Sequence, residues 1–302
     1  FTPSPPLTLG VVDYAMSRLK HIPFVYNLQD LFPEAAVRLG MMSNPRLIQG
    51  FELLERFVYR KAHHLSVISE GFKTHLLNSG VPEEKISVIP NYTDTTFIEP
   101  VAKKDNPYRK RHKLDGRFVV QFSGRMGYSQ GLETVLEAWK QLDDLPDLRL
   151  MMVGDGQSRP IVEQALANDP RAILLPVQDR EDLPALLSTA DVGLAPLRHG
   201  MAGTSLPCKI FGIMASGRPV IAGVDAGSDA ETLIETADCG IVVEPEDPVA
   251  LAAAIRRLYG DRRDAARRGR NGRKYVVNHH SQDVVVDQYE RMLQSVISNS
   301  VA

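Results

Sequence analysis

Phe118-Val119-Val120-Gln121-Phe122-Ser123-Gly124-Arg125-Met126-Gly127-Tyr128-Ser129-Gln130-Gly131 is an apolar run of strand length that breaks into a glycine-rich turn. A helical pattern over 132–142 follows at once, and the same alternation recurs downstream. Short apolar runs at 118–122, 148–153, 173–176, 192–195, 219–222 and 240–243 are separated by helical patterns at 132–142, 160–167, 182–190, 209–215, 230–236 and 248–259. The runs do not alternate apolar with polar, as expected of strands covered on both faces. Strict strand–helix alternation with short loops predicts an α/β fold with an open, doubly wound parallel sheet over 117–280.

Upstream the pattern is similar. A helical segment over 9–20 leads to the apolar run 22–26, read as a strand. Asn44-Pro45 opens a long helix carrying Leu47, Ile48, Phe51, Leu54, Phe57 and Val58 at helical spacing. A strand over 64–68 is followed by Ser69, a good N-cap for a helix over 70–78, with Gly80 as its stop. A strand over 86–89 closes this region. Residues 96–116 combine prolines, charge and low apolarity, the composition of a linker. The chain is thus divided into a first domain (1–95), a linker (96–116), a second domain (117–280) and a C-terminal helix (281–302). The opening Phe1-Thr2-Pro3-Ser4-Pro5-Pro6 reads as a loop in mid-domain, so the first domain is expected to be truncated at its N-terminus.

The 302 residues, 43% hydrophobic and 24% charged, are enough for two cores. A net charge of −2 argues against nucleic-acid binding, which brings a basic excess. Cys208 and Cys239 form no CxxC pair and cannot staple a chain this long, so a reducing compartment is expected. No stretch approaches the ~20 apolar residues of a membrane span, and the start lacks the charge pattern of a signal peptide.

Ligands of an open α/β sheet bind outside the carboxyl ends of its strands. Three loops there have anion-binding character. Ser123 to Gly131 offers glycines, helix amides and the guanidinium fork of Arg125; it reads equally as a bare turn. Val153-Gly154-Asp155-Gly156 is a tight turn that needs no ligand. The third, Gly200 to Lys209, places a lysine in the first turn of a helix. A cation opposes the dipole there, and a shared anion would offset that; a solvated lysine is the plainer alternative.

Together these loops, with Ala215-Ser216-Gly217-Arg218-Pro219-Val220-Ile221-Ala222, Tyr26-Asn27-Leu28-Gln29-Asp30-Leu31-Phe32-Pro33-Glu34, Val67-Ile68-Ser69-Glu70-Gly71-Phe72 and Val88-Ile89-Pro90-Asn91, resemble the family-4 glycosyltransferases. The subgroup indicated is that of bacterial surface-polysaccharide amino-sugar transferases. The resemblance covers nearly the whole chain. It implies a GT-B fold of two Rossmann-like domains, a retaining reaction, and a nucleotide-sugar donor, most simply UDP-linked. Gly124, Arg125, Gly127, Gln130 and Gly131 match the loop at the donor diphosphate, with Gly154 beside it. Lys209 matches the basic residue on the same phosphates, with amides near Ser205 and Leu206. Gln178 falls where the nucleobase is recognised.

Two departures matter. Gln130 stands where the first loop usually has a lysine, and the family's glutamate pair is replaced by Thr204 and Gly212. Glu231 is then the candidate for the ribose. Asp30, beside Gln29, is a candidate to orient or deprotonate the acceptor hydroxyl; capping a helix before Pro33 is its alternative role. The family's front-side displacement needs stabilisation of a departing diphosphate, so Arg125 and Lys209 are grouped with Asp30 as the catalytic set. No metal site is expected, since His63-His64 and His279-His280 are adjacent pairs that diverge.

A lipid-linked or saccharide acceptor implies a cytoplasmic protein at the inner face of the membrane. The basic run over 262–274 reads as a contact for anionic lipid or as a solvated helix face. The residues 284–297 form an amphipathic stripe through Val285, Tyr289, Leu293 and Val296, expected to cross back to the first domain. Competing readings on the same fold are a UDP-sugar 2-epimerase, which needs acid–base carboxylates and histidines at the sugar, and a non-catalytic sugar-nucleotide binder.

Overall fold

The computed structural model describes residues 1–38, 40–201 and 206–301. They form two compact units: residues 1–91 with the chain from Asp283 onward, and residues 92–201 with 207–282.

The first unit runs β1 (Thr2–Pro3), α1 (Thr8–Lys20), β2 (Val25–Leu28), α2 (Glu34–Arg38), α3 (Pro45–Lys61), β3 (His64–Val67), α4 (Glu70–Asn78) and β4 (Ile86–Val88). Its strands form one parallel sheet in the order β1-β2-β3-β4. Local chemistry sets several ends. The Asn44 side chain accepts from the Arg46 amide and Ser69 from the Phe72 amide, so both helices begin where their caps stand. The strand expected at 22–26 instead occupies Val25–Leu28. Pro23 has no amide to give a ladder, the Phe24 amide donates to His63 Nδ1 at 3.1 Å, and Ile22 is left exposed.

The second unit runs α5 (Pro107–Arg111), β5 (Phe118–Ser123), α6 (Leu132–Lys140), β6 (Leu148–Val153), α7 (Arg159–Leu166), β7 (Ala172–Leu175), α8 (Leu183–Ser188), β8 (Val192–Pro196), α9 (Lys209–Ala215), β9 (Val220–Gly223), α10 (Asp229–Thr236), β10 (Gly240–Val243), α11 (Pro248–Gly260) and α12 (Arg262–His279). Six parallel strands lie in the order β10-β9-β8-β5-β6-β7. The chain therefore winds outward from β5 in one direction and restarts at β8 in the other, the doubly wound order with its switch point between β5 and β8. Phe118, Val120 and Phe122 enter one core with Leu136, Trp139 and Leu258. Val119 turns to a second core with Tyr108, Leu114, Met151 and Leu186. Both sheet faces are covered, which is why the strands are predominantly apolar.

The stretch 96–116 is packed into the second unit and is not a free linker. Asn106 is fully buried, capping α5 and donating to the Ala185 carbonyl at 2.7 Å. Arg109, 2% exposed, donates to the carbonyls of Thr189, Leu114 and Arg117 and pairs with Asp191 at 3.2 Å. Two of the polar residues that imitate a linker, Asn106 and Arg109, thus form a buried hydrogen-bond network.

The last helix, α13 (Gln282–Val301), has its stripe in the first unit's core. Val285, Met292 and Val296 pack with Val25 and Ile89, and the Tyr289 hydroxyl accepts from Asn27 Nδ2 at 3.0 Å.

Candidate functional site: a cationic cradle at the switch point

Beyond the ends of β5 and β6 the two glycine loops stay zipped together. The Gly124 amide donates to the Val153 carbonyl at 3.0 Å, Met126 to Asp155 at 2.8 Å, and Ser158 back to Met126 at 2.9 Å. Gly124 and Gly154 hold φ of 138° and 136°, and a Cβ on Gly154 would overlap the Gly124 carbonyl. Gly154 is accounted for by this contact, as a buttress beneath the first loop. That agrees with the turn reading of its sequence.

Lys209, the first residue of α9, reaches under that loop. Its ammonium lies 3.8 Å from the centroid of the Phe122 ring, donates to Gln130 Oε1, and sits 3.7 Å from where a Gly124 Cβ would be. Among the described residues no carboxylate pairs with it. Burial without a counter-charge pulls the amine down to about 7. α9 spans only seven residues, so the positive character here rests on the side chain more than on the helix. Arg125, exposed on the same loop, has no hydrogen-bond or ion-pair partner among the described residues. A Cβ on Gly127 would meet nothing within 4 Å, so the loop's outer side is open.

A residue that sequence reasoning passed over completes the cradle. Arg198, two residues past β8, donates through its amide to the Ser129 carbonyl at 2.9 Å and through Nε to the Tyr128 carbonyl at 2.8 Å. Its guanidinium lies 4.3 Å from the Tyr128 ring centroid and pairs with Glu133 at 2.9 Å and Glu246 at 2.8 Å. Its position just past a strand end on the switch point was the available signal. Next to it, Asp225 accepts from the Gly200 amide at 2.9 Å and lies 3.1 Å from His199 Nδ1.

Gln178 accepts from the Tyr108 hydroxyl at 3.0 Å and donates to the Pro176 carbonyl at 2.9 Å, so its side chain braces the loop after β7. Glu231 accepts from the Gly227 amide while Ser228 caps its own amide; its carboxylate is held in the α10 cap. Gly212 faces Leu187, whose Cδ1 would stand 3.4 Å from a Cβ there. Leu206 is buried; Ser205 and Thr204 lie outside the described residues. In the first unit Asp30 follows β2 and is half-buried. Desolvation raises its carboxyl above the usual range.

The basic run is largely consumed internally. Arg267 and Arg268 pair with Asp238 and Asp264, Arg273 donates to the carbonyls of Thr95, Ile98 and Ala215, and Arg262 lies against the Phe118 and Tyr259 rings. Among the described residues no group of three or more His, Cys, Asp or Glu is placed to hold a metal ion. None of their helices is long and apolar enough to cross a membrane.

A parallel sheet wound in this order defines a Rossmann-like unit. Comparison with known proteins narrows the class. Residues 1–92 match the family described as glycosyl transferase 4-like domain, and residues 117–261 that described as glycosyl transferases group 1. The chain belongs to this glycosyltransferase family. It is 26% identical over 302 residues to the probable glycosyltransferase WbjE of Pseudomonas aeruginosa, covering 97% of this chain and 72% of that protein. It is 30% identical over 249 residues to the putative colanic acid biosynthesis glycosyl transferase WcaI of Escherichia coli, covering 80% of this chain but 61% of the relative. Among solved structures, HepE of Anabaena in complex with UDP and glucose superimposes with a TM-score of 0.79 at 19% identity, over 97% of this chain and 77% of that one. That likeness establishes the GT-B fold of two Rossmann-like units.

Proposed function

We propose that the protein transfers a sugar, an N-acetylated amino sugar, from a UDP-linked donor to a lipid-linked or saccharide acceptor in surface-polysaccharide synthesis, with retention at the anomeric carbon. The observation that carries this reading is Lys209: an ammonium desolvated under a glycine loop, with a neutral amide and an aromatic ring in place of a counter-ion. A donor diphosphate would supply the missing charge. HepE, solved with UDP and glucose, supports a uridine donor, and WcaI's assignment to colanic acid supports a polysaccharide product.

In the step, the acceptor oxygen bonds to the anomeric carbon as the bond to the diphosphate oxygen breaks. The hydroxyl proton passes to the leaving oxygen or to Asp30, whose raised pKa suits it to hold a proton. Lys209, Arg125 and the Gly124 to Gly131 loop stabilise the charge that develops on the diphosphate. No resident metal or cofactor is invoked; the nucleotide sugar is a substrate. We place the reaction in the cytoplasm at the inner face of the membrane. Any attraction to anionic lipid through the basic run falls to Arg263, Arg270 and Lys274, which are exposed.

Incubation with UDP-N-acetylhexosamines and a lipid-diphosphate acceptor tests the proposal. Glycosylated lipid of retained anomeric configuration is expected. Free epimerised sugar nucleotide, or UDP binding with no turnover by any donor, would replace it with the epimerase or the non-catalytic reading.

A further inference from the structure

We propose that Arg198 is the positioning residue of the cradle, locking the turn Tyr128–Gly131 in the shape that holds Gln130 against Lys209. The inference rests on reading the cradle as the donor diphosphate site. The turn is weak on its own: three residues of 3-10 helix, Tyr128–Gln130, closed by amide bonds of 3.1 and 3.3 Å and ending in the left-handed Gly131. Short 3-10 turns have poor hydrogen-bond geometry. Arg198 reaches this turn from the other side of the switch point, from a strand end some 70 positions away. Its Nε takes the Tyr128 carbonyl and its guanidinium covers the Tyr128 ring, beside the bond from its backbone amide to the Ser129 carbonyl. Its Cγ fills the space beside Gly131, 3.3 Å from where a Cβ would stand.

The guanidinium does not itself serve as a phosphate ligand. Glu133, from the first turn of α6, and Glu246, from the loop after β10, hold it from two directions, and Nε is committed to a carbonyl. Two carboxylates cancel its charge, and the rigid fork keeps its orientation. What Arg198 transmits is geometry: its hold on residues 128 and 129 fixes residue 130, whose Oε1 accepts from Lys209 Nζ. A lysine at 198 would keep an ion pair but has no planar fork to serve a carbonyl, a ring and two carboxylates together.

The test compares UDP binding by calorimetry across pH 7 to 9 in the wild type, Arg198→Lys, Arg198→Ala and, as a control for plain destabilisation, Leu142→Ala in the core. In the wild type the empty amine loses its proton above pH 7 and a bound diphosphate restores it, so affinity falls as pH rises. Arg198→Ala is expected to weaken UDP about ten-fold at pH 7, as loss of fixed geometry does. It also moves the onset of the fall upward by about a pH unit, because a released Gln130 lets water reach Lys209. Arg198→Lys shows the same change to a smaller extent, and keeps the test available should the alanine variant unfold. Leu142→Ala lowers Tm and moves neither quantity. Wild-type affinity and pH profile in both Arg198 variants overturn the inference alone. Failure of the wild type to bind UDP overturns the reading of the cradle and this inference with it.

Discussion

The chain carries positive charge in two very different ways. The stretch 262–274 holds seven cations in thirteen residues, whereas the cradle holds Arg125, Lys209 and Arg198, the last already paired with Glu133 and Glu246. In the dense stretch four of the seven are occupied: two by carboxylates, one by three carbonyls and one by aromatic rings. In the sparse one, Lys209 has no carboxylate partner among the described residues and Arg125 stands exposed. An anion is attracted by charge that remains uncompensated, and charge that is internally paired is already screened. Counting basic residues along the sequence therefore overstates the charge that the stretch 262–274 leaves for an anion.

That contrast is broken most directly at Lys209. Lys209→Ala should weaken UDP roughly a hundred-fold, as loss of one partner from a desolvated charge pair does, without lowering Tm, since a cation buried unpaired opposes folding. Unchanged calorimetric affinity would remove the cradle from the site.

The pH dependence comes next. The folded amine near 7 binds fewer protons than the unfolded one between about 7 and its ordinary value of 10.5, so stability contributed at this position rises with pH across that window. UDP affinity moves the other way, falling about ten-fold or more from pH 7 to 9. Lys209→Met should flatten both trends; if it flattens neither, another group titrates.

Arg125→Ala should cost about five-fold in UDP affinity, an exposed cation being partly screened. Raising the salt from 50 to 300 mM should shrink that difference. Arg273→Ala sharpens the other side. UDP binding stays as it is while Tm drops by about 5 °C, from about 2 kcal/mol of charged hydrogen bonds lost at Thr95, Ile98 and Ala215. The smallest effect belongs to Arg263→Ala with Arg270→Ala and Lys274→Ala together, which should change neither UDP affinity nor Tm.

Much of the architecture is legible from periodicity. The strands of the second unit lie within a residue or so of the apolar runs, since burial on both faces leaves a signal independent of partners. Lys209 and the Ser123 to Gly131 loop are likewise visible, because a strand end, glycines and a helix start are local features. What is not visible depends on residues far apart. Arg198 acquires its role from Tyr128, Glu133 and Glu246; Arg109 is buried only because Thr189 and Asp191 come to it; Glu231 is taken up by a cap four residues wide that its acidity alone does not reveal. The strand displaced to Val25–Leu28 was hidden by Pro23, apolar enough to extend a run but unable to join a ladder.

The composition of the first unit's core bears on how the protein comes to exist. Val285, Met292 and Val296 of α13 meet Val25 and Ile89 there, nearly two hundred residues or more later in the chain. The second unit is drawn from one nearly continuous stretch and can close as soon as it leaves the ribosome. The first waits with Val25 and Ile89 uncovered until α13 has followed it out.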